Sequence, residues 1–134
     1  MDIRWQQRFN NLENAHKNLI EMLDLLREEP SKKAYKLAVI QSYEMDIELA
    51  WKTLKDYLNY LGYKVQAPRE VIKQAFAIDF IENGDIWIKM IDDRNLTSHT
   101  YDEAKAQEIV DSINEDYFVK LDNLYNFLKG KLND

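Results

Sequence analysis

Cysteine is absent from the 134 residues, which excludes disulfides, thiolate metal sites and a cysteine nucleophile. Only 3 glycines and 2 prolines occur, too few for a glycine-rich phosphate loop or a turn-rich all-β fold. No apolar run approaches the roughly 18 residues that read as a membrane span. The opening stretch MDIRWQQRF lacks the apolar core of a signal peptide, so a cytoplasmic location is expected. An excess of positive charge is also missing. The 18 basic and 24 acidic side chains leave a net charge of -6, which argues against a broad surface for coating nucleic acid but leaves room for one local basic pocket. The remainder is ordinary for a globular chain: 46% hydrophobic and 31% charged residues, too apolar for disorder. One helical domain spanning residues 1–134 is expected.

The apolar residues recur at helical spacing. Trp5, Phe9, Leu12, His16, Leu19, Leu23 and Leu26 alternate steps of four and three, a heptad seam that predicts a first helix from about Asp2 to Glu28. A second seam, Leu37, Ile40, Glu44, Ile47, Trp51, Leu54, Leu58 and Leu61, predicts a helix from Lys33 to Leu61, stopped by Gly62. Pro68 suits the first turn of a third helix, predicted over Arg69 to Asn83 with Gly84 as its stop. Asp85 is placed to cap a short fourth helix through Ile86, Trp87, Met90 and Ile91. Thr100-Tyr101-Asp102-Glu103 reads as a capping box that starts the last helix, whose seam is Val110, Ile113, Tyr117, Leu121, Leu124 and Leu128. The expected fold class is all-α: an up-and-down antiparallel bundle of about five helices, like a four-helix bundle.

The junction between the fourth and fifth helices concentrates chemistry. Asp92-Asp93-Arg94-Asn95-Leu96-Thr97-Ser98-His99-Thr100-Tyr101 brings together a guanidinium, an amide, hydroxyls, an imidazole and a phenol. On one continuous helix Arg94 and His99 would stand about 140° apart. A helix break before Tyr101 lets the connection fold both to one side. Arginine offers a planar fork for phosphate oxygens, and histidine exchanges protons near neutral pH. The pair suits phosphodiester chemistry without a metal. The structural alternative is a polar corner in which Asn95 and Ser98 satisfy backbone groups. Asp92 and Asp93 lie at the unfavourable end of the fourth helix's dipole and call for a local reason, such as holding Arg94 or orienting His99. His16 and Glu44 interrupt apolar seams. A core histidine and a carboxylate paired to His16, Arg94 or a tyrosine hydroxyl are the expected readings. A metal held by Glu44, His16 and His99 would lack the Glu-x-x-His pairs of ferritin-like sites.

The spacing of Arg94, Asn95 and His99 resembles the signature of the HEPN superfamily (higher eukaryotes and prokaryotes nucleotide-binding): arginine, a polar residue, then histidine. The chain as a whole is similar to the nucleotidyltransferase substrate-binding protein family. The stretches that carry the likeness are Arg4-Trp5 through Phe9-Asn10, Ile40-Gln41 with Glu44, Glu48-Leu49-Ala50-Trp51-Lys52 with Leu54-Lys55-Asp56, Pro68-Arg69, Trp87, and Arg94 through Tyr101. The resemblance implies an antiparallel helical bundle that forms a homodimer. It implies a partner, a minimal nucleotidyltransferase with a Gly-Ser…Asp-x-Asp motif. No such motif occurs in this chain, so it is not itself the transferase.

Related pairs act as toxin–antitoxin modules, and the resemblance implies a metal-independent ribonuclease that the transferase silences by adding AMP to the tyrosine two residues after the histidine, here Tyr101. On that reading Arg94 and His99 are catalytic. Asn95, Thr97 and Ser98 contact nucleotide or RNA, and Asp92, Asp93 and Glu44 support the site. No metal, cofactor or membrane enters. The alternative is a non-catalytic subunit that presents nucleotide or substrate to the transferase, which leaves enzyme status open. Cleavage through a 2′-hydroxyl needs both a base and an acid. One chain supplies one such histidine, and a two-fold dimer would supply two.

Overall fold

The computed structural model describes residues 4–93 and 95–133, apart from the side chain of Thr97. Helix α1 covers Arg4–Glu28, α2 Lys33–Tyr60, α3 Pro68–Ala77 and α4 Gly84–Asp92. A 3₁₀ turn, Leu96–His99, leads to α5, Glu103–Ser112, and α6, Phe118–Lys131. A π-helical turn, Ile113–Tyr117, joins α5 to α6, and both its flanking residues keep right-handed helical dihedrals. The three pieces therefore form one rod. The molecule is all-α, with five helical rods and no strand among the described residues.

Side-chain pairings give the direction of each rod. His16 meets Asp46 and Arg8 meets Asp56, so α1 and α2 run antiparallel. His16 meets Asp122 and Glu13 meets Tyr125, so α1 and α6 are antiparallel too. Tyr43 stacks on Tyr117 and Tyr57 meets Phe127, so α2 and the last rod run parallel. Helix α4 is the return leg, since Trp87 and Leu124 line one cavity and Asp93 faces Tyr117, which gives the up-down-up-down order of a four-helix bundle; α3 packs antiparallel to α4, with Arg69 near its start meeting Asp92.

Every seam position of α1 and of the last rod is buried. Helix α2 departs from the expected pattern. Leu61 is exposed and Leu37 half-buried, while a second seam, Val39, Tyr43, Asp46, Ala50, Thr53 and Tyr57, is fully inside. The cause is position: α2 packs against α1 on one side and against α3, α5 and α6 on others, so it buries two stripes rather than one.

Helix ends decide where the polar corner sits. Gly62, at φ 103°, ends α2: Tyr63 N–H donates to Leu58 O and Gly62 N–H to Asn59 O, both at 3.0 Å, a Schellman closure. Helix α3 ends at Ala77 rather than Asn83. The same closure forms there around Asp79, at φ 63°, with Phe80 N–H donating to Ala75 O at 2.9 Å. Aspartate tolerates the left-handed region well enough to end a helix without glycine. Gly84 is accordingly not a stop but the first residue of α4, after the left-handed Asn83. A side chain there would approach the Phe76 ring to 3.2 Å. Asp85 sits in the first turn of α4 instead of capping it.

The start of α5 is corrected by two residues. Its cap is Asp102, whose Oδ1 accepts the N–H groups of Ala104 at 3.0 Å and Lys105 at 3.2 Å. Thr100 instead lies inside a turn that Asp102 N–H closes on His99 O at 3.3 Å, so the capping box anticipated at Thr100 and Glu103 does not set the helix start. Replacing Asp102 with alanine is expected to cost about 1 kcal/mol of stability, read by urea unfolding. The same change at Thr100 should cost clearly less, and equal losses would refute this assignment of the cap.

Candidate functional site

The polar corner is built on a short, anchored turn. Leu96 is buried and faces α2, which pins the 3₁₀ turn to the bundle. At three residues per turn, positions three apart share a side. Leu96 and His99 accordingly line one cleft of about 220 Å³. Lys89 from α4, Lys105, Glu108, Ile109 and Ser112 from α5, Tyr117 from the π turn and Asp93 complete it. His99 is exposed, and among the described residues no side chain hydrogen-bonds its imidazole. Tyr101, two residues on, is 84% exposed.

The other anticipated residues divide between structural and open positions. Ser98 Oγ donates to Asn95 O at 2.9 Å, the backbone-satisfying role of a polar corner, while the Asn95 side chain is exposed. Asp92 takes Arg69 in a two-pronged pair, 3.2 Å from Nε and 2.5 Å from Nη2. Its local reason is to tie α4 to α3. Asp93 is half-buried and faces Tyr117. Burial first, and the Asp93 carboxylate second, push the Tyr117 phenol up to about 12, so it stays protonated and can donate. Arg94 and the side chain of Thr97 lie outside the described residues. Glu44 is half-buried, at the edge of its seam.

His16 is a core residue, 1% exposed. Its Nδ1 lies 2.7 Å from Asp46 Oδ2 and its Nε2 2.7 Å from Asp122 Oδ1. The ring stacks on Tyr125 at 4.8 Å and Phe118 at 5.5 Å. With both nitrogens on carboxylates, His16 is removed from any ligand set with Glu44 and His99, and its partners are Asp46 and Asp122 rather than Glu44. No group of three His, Asp or Glu side chains placed to hold a metal ion occurs among the described residues, and no helix among them is long and apolar enough to cross a membrane.

Lys89, Lys105 and Tyr117 line the cleft with His99 although the sequence does not single them out. Tyr117 lies on an apolar seam whose spacing implies packing, and the lysines, on two helices, carry no local pattern that joins them to His99. Tyr117 ends the π turn, a kind of irregularity that gathers at functional sites.

An all-helical bundle with an open imidazole on an anchored interhelical turn defines the class. The chain belongs to the nucleotidyltransferase substrate-binding family: residues 7–130 match the family described as "Nucleotidyltransferase substrate binding protein like". This bears out the resemblance read from the sequence. A Haemophilus influenzae protein named "Probable ribonuclease HepT" is 28% identical over 97 residues, covering 69% of this chain and 66% of that protein. A Haemophilus influenzae structure described as the fold of a substrate binding domain of a nucleotidyltransferase superposes with a TM-score of 0.76 at 24% identity, over 90% of this chain and 98% of that one. A Thermus thermophilus crystal structure gives 0.72 at 30% identity, over 84% and 96%.

Proposed function

We propose that this protein is the HEPN-type partner of a minimal nucleotidyltransferase, acting in the cytoplasm as a homodimeric, metal-independent ribonuclease that the transferase silences by AMPylating Tyr101, in a toxin–antitoxin pair. The observation that carries the reading is the turn itself. His99 and Tyr101 lie two residues apart, both open to solvent, on a segment anchored through Leu96. In cleavage, a base removes the proton of an RNA 2′-hydroxyl. The 2′-oxygen then bonds to the adjacent phosphorus, and the 5′-oxygen leaves with a proton from an acid. His99 from each of two chains would fill the two roles, and Arg94 would take the phosphorane charge. Asn95 and Thr97 would contact the strand, with Ser98 shaping the turn that presents them.

Silencing follows from the same turn. The Tyr101 phenol oxygen would bond to the α-phosphorus of ATP, releasing pyrophosphate and its own proton. The added phosphate is negative and stands where an RNA phosphate would approach. The test is co-expression with the minimal nucleotidyltransferase that this reading requires, then intact mass and RNA cleavage. Wild type should gain AMP-sized additions and lose activity, while Tyr101→Phe should gain none and stay active. Additions that persist in the Phe variant, or cleavage unaffected by them, would overturn the switch. A purified wild-type protein that leaves RNA intact would make the non-catalytic, substrate-presenting subunit the account, a role favoured by the family's own description.

A further inference from the structure

Tyr43 and Tyr117 are buried titratable groups that the proposed cleavage does not use. On α5 the cleft takes Lys105, Glu108, Ile109 and Ser112, positions three or four apart on one helix face. On a regular helix the next turn of that face would bring Glu115 or Asp116, both exposed carboxylates. The π-helical turn Ile113–Tyr117 bonds i to i+5 and so takes up an extra residue, and Tyr117 lines the cleft in their place. The fold thus sets a phenol, not a carboxylate, opposite Asp93. The Tyr117 ring is buried and stacks on fully buried Tyr43, with centroids 5.6 Å apart and planes 24° apart. Its hydroxyl is within hydrogen-bond reach of the Asp93 carboxylate. Asp93 is the residue on which α4 ends, and its own N–H donates to Lys89 O at 2.9 Å. Three residues further on, buried Leu96 pins the turn to α2. A connection held at both Asp93 and Leu96 reaches His99 from a fixed end.

We propose that Tyr117 is a positioning residue: its phenol anchors the Asp93 carboxylate, and with it the end of α4, so that the turn bearing His99 leaves the bundle in one geometry. The effect on rate rests on the ribonuclease reading, and the anchor itself does not. Asp93 directly precedes Arg94 and lines the cleft with His99. A looser end of α4 would displace groups that a reaction needs aligned, and a shift of about 1 Å caused far from the chemistry can cost about 10²-fold in rate. Tyr117 suits the task because it stays a donor. Burial first, then Asp93 itself, raise the phenol to about 12, so the hydrogen bond persists through neutral pH. A carboxylate in the same place would repel Asp93.

The experiment compares Tyr117→Phe with Tyr125→Phe in the full chain. Both tyrosines stand on the last rod and give a hydroxyl to a carboxylate, Tyr125 to Glu13, but Tyr125 does not line the cleft. Amide hydrogen exchange and steady-state RNA cleavage are measured on the same preparations. In Tyr117→Phe the amides of Asp93 and Asp102, bonded to Lys89 O and His99 O, should exchange about tenfold faster, the low end of what a hydrogen bond to a charged group is worth. The turnover number kcat should fall about tenfold while KM stays within about twofold, the mark of lost alignment rather than lost binding. Tyr125→Phe should leave both readouts at the wild-type level. Asp93→Ala should match Tyr117→Phe, and Asp93→Asn should recover most of the loss, because the amide oxygen still accepts the phenol. An Asn variant as damaged as the Ala variant would mean that Asp93 acts through its charge, which overturns the anchor. Equal losses of kcat in the two Phe variants, or unchanged exchange at Asp93 and Asp102, overturn it as well. Failure of the ribonuclease reading is distinct: wild type leaves RNA intact, and the anchor then stands if exchange at those two amides quickens in Tyr117→Phe alone and falls if it does not.

Discussion

Replacing His16 with alanine is expected to destabilise the protein by about 3–5 kcal/mol, the cost of breaking a buried ion pair from one side. Asp46 is fully buried and would lose the imidazole that lies 2.7 Å from its Oδ2. The ring also stacks on Tyr125 and Phe118, so its removal adds a cavity to the uncompensated carboxylate. His16 joins three rods at once, α1 to α2 through Asp46 and α1 to α6 through Asp122. Asp122→Asn should cost far less, about 1 kcal/mol, because its side chain is 40% exposed. Urea unfolding of both variants checks the order. Equal losses would mean that the buried arm is not the one that holds the core.

The same triad sets a pH dependence. Two contacts of 2.7 Å each need one hydrogen, so the three groups share two hydrogens and carry one net negative charge. Burial opposes a charged imidazole, but the hydrogen bonds and charges of Asp46 and Asp122 outweigh it and raise His16 above its ordinary value of 6.5. Burial likewise holds Asp46 above the usual carboxylate range, although His16 pulls it down. A raised imidazole binds its proton more tightly folded than unfolded. Its contribution is complete below pH 6.5 and is lost as pH rises through the folded value. Wild-type stability should therefore fall across that window, and His16→Gln should flatten the slope. Stability that rises with pH there would refute a protonated triad.

The second large effect is on chemistry. On the proposed ribonuclease reading, His99→Ala is expected to lower RNA cleavage by about 10²- to 10⁴-fold, the usual contribution of a positioned acid or base, while leaving the urea midpoint nearly unchanged. The side chain is exposed, and its removal opens no cavity in the core. The contrast with His16 is what makes the test decisive. Initial rates and unfolding curves on the same preparations would show one histidine carrying stability and the other carrying activity. Cleavage that survives His99→Ala would assign the activity to a contaminant or to another group.

The sequence separates the roles of these two histidines. His16 sits in a 3,4 apolar seam, and a polar residue in such a seam is buried when the helix packs. His99 sits among hydroxyls and amides between helices, where side chains face water. What remained hidden was the company each keeps. Asp46 lies on a second stripe of α2 beside the expected seam, among Val39, Tyr43, Ala50, Thr53 and Tyr57. It becomes core only because α2 is enclosed by several neighbours. Asp122 lies 106 residues from His16, a separation that no local pattern spans.

Amino-acid order alone determined the all-α class, the three long rods, the Gly62 stop and the turn bearing His99 and Tyr101, because heptad spacing, left-handed stops and polar interhelical runs are set by nearest neighbours. Competition among neighbours already blurred the next level: Asp79 ended α3 where a glycine was expected, and Asp102 took the cap from Thr100. Packing between the rods settles that Asp92 holds Arg69, that His16 bridges two carboxylates, and that Lys89, Lys105 and Tyr117 line one cleft with His99. Those pairings join different helices, and their geometry depends on how the rods pack, which is fixed by the summed burial of many side chains rather than by any one stretch of chain.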